Sequence, residues 1–337
     1  MLEKPALDDE RITACLAAEY GLDVTDLDFL PLGADMNTAV YRAAARGGAA
    51  YFVKLRRGKF GEASVLVPAH LARLGLRQVI PPIAARTGRL RARLGGFTLT
   101  LYPFVEGRNG FDRPLSRGQW AEFGAALKQF HSAAFPPEVT AGLPREDFSP
   151  RGRESVKLFL ERVRCETFDE PAAAELAAFL RTRRAETLAL VDRAGRLALE
   201  LQEQPPPFIL CHGDIHAWNL LVADGGAFYM VDWDTLLFAP RERDLMYIGA
   251  GLGGRAFAPA EEEALFYRGY GPAAIDPAAL AYYRYELIVE DIAVFCGQIL
   301  SPGGDGADRR QSLDYLKSNF LPGGALEMAV RSDGTNG

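Results

Sequence analysis

A chain of 337 residues with 48% apolar side chains is too long for one small core and comfortable as two lobes or domains. Its 38 Lys and Arg against 44 Asp and Glu give a formal charge of -6, which argues against nucleic acid as the main partner, because phosphate contacts need concentrated basic surface. The four cysteines, Cys15, Cys165, Cys211 and Cys296, lie far apart with no C-x-x-C pair, so neither a disulfide framework nor a zinc site is suggested.

The first residues, MLEKPALDDERI, lack the basic start and apolar run of a signal peptide, and no stretch of ~18 uncharged apolar residues is present to span a bilayer. A soluble cytoplasmic protein without membrane partners is expected. Asp8 can cap a helix through about Tyr20, with Gly21 as its stop and Ile12, Leu16 and Tyr20 at helical spacing. The period then changes to two. VYRAAARGGAAYFVKLRRG reads as two strands joined by a Gly-Gly turn and GRLRARLGGFTLTLYPF as two more, so residues ~25 to 104 form an antiparallel sheet interrupted by one helix, Glu62 to Leu74. YPFVEGRNG reads as a loop, and Tyr102 to Gly110 as the boundary between lobes.

Beyond it, Ser116 and Gln119 form a capping box that opens a helix ending near His131. Further helices are expected at about 153 to 165, from Pro171 to about Gln202, at about 260 to 270 and at about 277 to 300; RSDGTNG at the C-terminus reads as disordered. The expected fold is α+β, protein-kinase-like and two-lobed: a small antiparallel-sheet N-lobe (1–104) and a mainly helical C-lobe (105–330).

ILCHGDIHAWNLLV, Ile209 to Val222, holds the chemistry. Two of the four histidines, an aspartate and an asparagine stand between segments that both read as buried strands. Asp214 and Asn219 are five apart, as in the protein-kinase loop H-R-D-L-x-x-x-N, where the carboxylate faces the attacking hydroxyl and the amide ligates Mg²⁺ beside ATP. AFYMVDWD then ends a strand at Asp232, the place of a second magnesium-binding aspartate. Upstream, FVKL puts Lys54 on a strand pointing at the α- and β-phosphates, Glu62 on the next helix offers a partner for it, and LGADMNTAVYRA, with Gly33 and Asn37, supplies a turn to cover the phosphates. Taken singly, Lys54, Glu62 and the turn have ordinary structural readings; their order and spacing point to an ATP- and Mg²⁺-dependent phosphotransferase. Tyr102 and Phe104, at the start of the inter-lobe loop, are expected on the nucleotide side.

A protein kinase carries a long activation segment and an Arg in H-R-D; here Gly213 stands in that place and only WDTLLFAPRER separates Asp232 from Asp244. The acceptor is therefore expected to be a small molecule. GAGLGG, Gly249 to Gly254, fits the dinucleotide fingerprint G-x-G-x-x-G, but RERDLMYI before it reads as a helix where that fingerprint needs a strand.

GADMNTAVYRA, YFVKL, YPFVEGRNGF, CHGDIHAWNLLV, VDWDTLLFAPRERDLMYIGAG and YYRYELIVEDIAVF together resemble the aminoglycoside phosphotransferase and choline kinase superfamily over about residues 5 to 320, and within it the spectinomycin phosphotransferases. The resemblance implies that Asp214 is the catalytic base, Asn219 and Asp232 the magnesium ligands and Lys54 the phosphate-binding lysine. Trp218 departs from the family pattern, which has a small residue there, so it and Asp234 are candidates for the acceptor side. YYRYELIVEDIAVFCGQIL puts Glu286 and Glu290 on one stripe of an apolar helix, with Asp291 about 100° round. These carboxylates either pair with Arg284 or other buried arginines, or form an anionic wall for a cationic aminocyclitol. The other readings left open are a metabolic kinase acting on choline, an amino acid or a sugar, and a nucleotide-binding pseudokinase.

Overall fold

The computed structural model describes residues 4–32, 37–249, 256–301 and 306–334. The strands, in chain order, are β1 (Val24–Leu30), β2 (Thr38–Ala45), β3 (Ala50–Arg57), β4 (Ala92–Leu94), β5 (Phe97–Pro103), β6 (Gly107–Asn109), β7 (Phe208–Cys211), β8 (Leu220–Ala223), β9 (Phe228–Met230) and β10 (Leu237–Pro240). The chain divides into two compact units, each discontinuous in sequence: Met1–Pro144 with His212–Leu236 and Gly251–Pro272, and Arg145–Cys211 with Leu237–Ala250 and Ala273–Gly337.

In the first unit β1 to β5 form the expected antiparallel sheet, in the order β1-β2-β3-β5-β4. Alternation along β3 buries Val53 and Leu55 on the core face and sends Phe52, Lys54 and Arg56 to the other. The N-terminal helix, Asp9–Cys15 continuing as a π-helical turn Leu16–Tyr20, lays Ile12 and Leu16 on a core that includes Tyr41, Val53, Leu55, Leu99 and Leu101. Each such buried side chain contributes about 1.5–3 kcal/mol, so the core face fixes the register and thereby which side chains the opposite face presents.

The same unit holds a second, three-stranded sheet, β6-β8-β9, with β8 in the middle. The stretch read as loop thus contains a strand: Gly107 to Asn109 pair with Ala223 to Leu221. Helix Arg117–His131 opens with the expected Ser116–Gln119 capping box and packs along helix Pro259–Tyr270. Their backbones touch because the crossing residues are glycines; a Cβ on Gly269 would strike the Ala121 carbonyl, and one on Gly124 the Phe266 carbonyl. From this pair Phe123 meets Phe228 of β9 edge-on at 6.3 Å and Phe130 meets Trp233 at 5.3 Å, which supports the segment that carries Asp232.

The second unit is built around helix Pro277–Leu300, which packs against helices Arg184–Glu203, Arg151–Cys165, Gly306–Ser318 and Ala325–Ser332. The single helix expected from Pro171 to about Gln202 is two, Pro171–Thr182 and Arg184–Glu203, with Arg183 out of helical geometry between them. Neither Gly nor Pro marks the break; Arg181 anchors the end of the first helix by donating to the carbonyls of Val163 (2.6 Å) and Glu166 (2.9 Å). LFAP, within a stretch given no strand by its pattern, forms β10 and pairs antiparallel with β7. Two further helices close the chain, and Arg331 and Ser332, expected to be disordered, lie in the last of them. Of GAGLGG only Gly249 is among the described residues, and a short helix, Glu242–Leu245, precedes it, so the strand a dinucleotide fingerprint requires is not there. Among the described residues no helix is long and apolar enough to cross a membrane.

Gly269→Ala is expected to force the two helices apart and to lower stability by about 1–3 kcal/mol, the range for an overpacked contact. Thermal melts check this, and an unchanged melting temperature would show that the crossing is not close-packed.

Candidate active site

The loop from His212 to Asn219 is fastened at both ends. Gly213 sits at φ +85°, a left-handed conformation that a glycine adopts without the strain an Arg would suffer there. His212 is fully buried; its Nε2 lies 3.0 Å from the Val231 carbonyl, its ring stands 4.8 Å from that of Trp233, and its own carbonyl accepts the Thr235 hydroxyl at 2.9 Å. At the far end Asn219 donates its amide to the Asp214 carbonyl (2.7 Å) and to Asp214 Oδ2 (3.0 Å), while its own carbonyl accepts the Val231 N–H at 3.0 Å. The loop and the Val231–Thr235 segment are thus one hydrogen-bonded structure.

Asp232 follows β9 with φ +62° and ψ +66°, a left-handed conformation that in a non-glycine residue costs about 1–3 kcal/mol. It is held there by Lys54, whose ammonium donates to Asp232 Oδ1 at 2.9 Å and to Asp234 Oδ2 at 2.8 Å; Arg56, two residues along the same strand face, donates to Asp234 at 2.6 Å. Burial works against the Lys54 charge, but Asp232 and then Asp234 outweigh it and hold the ammonium more firmly protonated than usual. Tyr102 shares this environment, and burial pushes its phenol up to about 12. Asn219 Oδ1 and the Asp232 carboxylate are oxygen donors, one neutral and one anionic, a set that suits a hard cation such as Mg²⁺.

Glu62 does not take the role foreseen for it: it accepts from Arg91 Nε at 2.5 Å, and Lys54 turns to the two aspartates instead. The carboxylates reach Lys54 from the strand end, a long-range placement that no local spacing encodes. Asn37 accepts the Arg57 N–H on its carbonyl at 2.8 Å, and Phe104 lies under the Arg42 guanidinium at 5.3 Å. Gly33 lies outside the described residues. Trp218, 51% exposed, stacks face to face on Phe111, 52% exposed, with centroids 5.4 Å apart and planes within 9°. Arg56 was not singled out in the sequence, and His216, one of the two histidines of the loop stretch, was given no role there; each stands two residues from a residue that was, Arg56 from Lys54 and His216 from Asp214. His216 Nε2 is 3.3 Å from Asp214 Oδ1.

In the second unit the carboxylate stripe separates into three environments. Glu286 is buried and paired with Arg153, which also donates to the carbonyls of Phe148 (2.9 Å) and Ser149 (3.1 Å). Arg284, considered as a partner, instead donates to the carbonyls of Met246 (2.9 Å) and Ile248 (2.8 Å). Asp291 accepts from Asn319 at 2.9 Å. Glu290 keeps 49% of its side chain exposed, with Arg243 3.8 Å away. Of the remaining histidines, His70 lies 3.0 Å from the Ala134 carbonyl and His131 2.8 Å from the Tyr270 hydroxyl.

A family model described as the phosphotransferase enzyme family matches residues 28–283. The chain belongs to that family. The phosphotransferase is similar to the crystal structure of spectinomycin phosphotransferase APH(9)-Ia in complex with ADP and spectinomycin, with a TM-score of 0.91 and 34% identity over 98% of this chain and 99% of that one. It is 26% identical over 315 residues to Protein StrN of Streptomyces griseus, covering 89% of this chain and 88% of that protein. It shares its fold, at TM-score 0.60 and 16% identity, with the amicoumacin kinase hAmiN, over 94% of this chain and 95% of the other. The phosphotransferase thus has the α+β kinase-like fold that its sequence pattern indicated.

Burial pushes the Glu286 carboxyl up, to about 7, against the pull of Arg153, with Glu290 and Glu146 adding to the rise. A carboxyl raised by folding stabilises the folded state most in acid and loses that contribution as pH climbs through about 7. Arg153 favours only the ionised form, so Arg153→Met is expected to destabilise the phosphotransferase modestly at pH 5 and by about 3 kcal/mol or more at pH 8, the size of a broken buried pair. Melts of both proteins across that range measure the gap, and a gap independent of pH would contradict the pairing.

Proposed function

We propose that the enzyme transfers the γ-phosphoryl group of ATP to a hydroxyl of an aminocyclitol such as spectinomycin. The observation that carries this reading is the assembly, within one unit, of Asp214 braced by Asn219 and of Asp232 tied to Lys54. The likeness to an enzyme crystallised with ADP and spectinomycin supports the choice of nucleotide and acceptor.

Asp214 orients the acceptor hydroxyl and takes its proton as the oxygen attacks the γ-phosphorus; the bond to the β-phosphate oxygen breaks and ADP leaves. Lys54, which holds two carboxylates in the structure, serves the α- and β-phosphates in the nucleotide complex, with Asn37, Tyr102 and Phe104 on the nucleotide side. Mg²⁺, held by Asn219 and Asp232, would supply charge neutralisation at the phosphate oxygens. On the acceptor side, Trp218, Asp234 and Glu290 are the candidates; Glu290 has the exposed carboxylate that an ammonium group needs, whereas Glu286 is committed to Arg153.

ADP release measured with spectinomycin, choline, an amino acid and a sugar tests the acceptor class. Turnover with spectinomycin alone is expected; turnover with another acceptor would identify a metabolic kinase, and nucleotide binding without turnover a pseudokinase. Asp214→Asn is expected to lower kcat by ~10²-fold or more while calorimetry finds ATP affinity nearly intact, because the carboxylate acts in the transition state. Glu290→Gln is expected to raise KM for spectinomycin by roughly tenfold to a hundredfold, the loss of a charge-assisted contact of ~1.5–3 kcal/mol, and to leave KM for ATP unchanged. A variant with native acceptor KM removes Glu290 from the binding site.

A further inference from the structure

We infer that His216 is a positioning residue for Asp214, an inference that rests on the reading of Asp214 as the catalytic base. His216 is the N-cap of the 3-10 turn Ala217–Asn219, and its ring does two jobs at once. Nδ1 lies 3.1 Å from the backbone nitrogen of Trp218, and a backbone N–H can only donate, so Nδ1 is the unprotonated acceptor. In a neutral imidazole the proton then belongs to Nε2, the atom 3.3 Å from Asp214 Oδ1. The cap therefore fixes the tautomer, and the tautomer aims an N–H at the carboxylate.

The other oxygen of Asp214 is served from the opposite end of the same turn, where Asn219 Nδ2 donates to Oδ2 at 3.0 Å. Two donors, two and five residues downstream, thus grip one carboxylate by both oxygens and set its plane. The turn that places Asn219 also places His216, and the loop delivers a base whose rotamer is set before substrate arrives. A base must stand within hydrogen-bond reach of the proton it removes, and one free to rotate spends part of its time out of reach.

Two conservative variants separate the jobs of the ring. His216→Asn keeps an oxygen near the Nδ1 position, where Asn is among the best caps, and loses the donor to Asp214. His216→Gln carries an amide N–H near the Nε2 position and gives up the cap. For a positioning role, His216→Asn melts with the wild type yet loses roughly tenfold in kcat with KM for ATP unchanged, while His216→Gln recovers most of kcat despite a lower melting temperature. A merely structural histidine gives the reverse, activity following the cap, and full kcat in His216→Asn overturns the proposal. The tautomer is read without turnover by long-range ¹H–¹⁵N correlation of the four histidine rings, with His216 assigned by its loss in the variant. An Nε2–H tautomer supports the contact and an Nδ1–H tautomer overturns it, whatever the acceptor proves to be. Wild-type turnover that survives Asp214→Asn would instead remove the base reading.

Discussion

The Lys54 ammonium between Asp232 and Asp234 is the interaction on which the site depends. It links the polar face of β3 to the residues that follow β9, two places 178 residues apart in the chain. Without it Asp232, already in a left-handed conformation, would face a second carboxylate, Asp234, which Arg56 also holds. The lysine can occupy that position because the core face of the sheet is packed: Val53 and Leu55 are buried to completion, and a one-residue slip would turn Lys54 into the core. An apolar packing choice on one face thus sets an electrostatic geometry on the other.

The loop is fixed by a different device. Its contacts are short-range, a hydrogen bond from Asn219 to Asp214 and the approach of His216 to within 3.3 Å of the same carboxylate, while His212 and Thr235 fasten it to the strand end that carries Asp232. The result is an arrangement of carboxylates with the Lys54 and Arg56 cations, held by buried aromatic contacts from Phe123, Phe130 and Trp233. Rigid placement of charge before substrate binds is what phosphoryl transfer asks of a protein, since positioning and charge stabilisation supply most of its catalysis.

What could be read from the sequence follows the range of the interaction. The Ser116–Gln119 capping box, the Gly21 stop, the hairpin turn at Gly47 and Gly48, the alternation of β3 and the five-residue spacing of Asp214 and Asn219 are local, and the structure contains them, whereas the Asp8 side chain makes no cap hydrogen bond. Partner choice is not local. Glu62 lies on the helix after Lys54 and still pairs with Arg91, and the Glu286 carboxylate, on a stripe open to either a buried arginine or a binding wall, closes on Arg153, which is 133 residues away. Strands β6 and β10, three and four residues long, are too short to show a period and exist because β8 and β7 offer them an edge. His216 was visible as a residue but not as a role, because the Trp218 N–H that sets its tautomer becomes a partner only once the 3-10 turn has formed.

The most direct measurement is ³¹P NMR of the enzyme incubated with ATP, Mg²⁺ and spectinomycin, with the acceptor recovered for mass analysis. The expected result is a phosphate monoester on a hydroxyl carbon of the acceptor, formed one for one with ADP. Inorganic phosphate as the sole new resonance, or ATP left unconsumed with every small acceptor, would contradict the assignment of this site to phosphoryl transfer onto a hydroxyl.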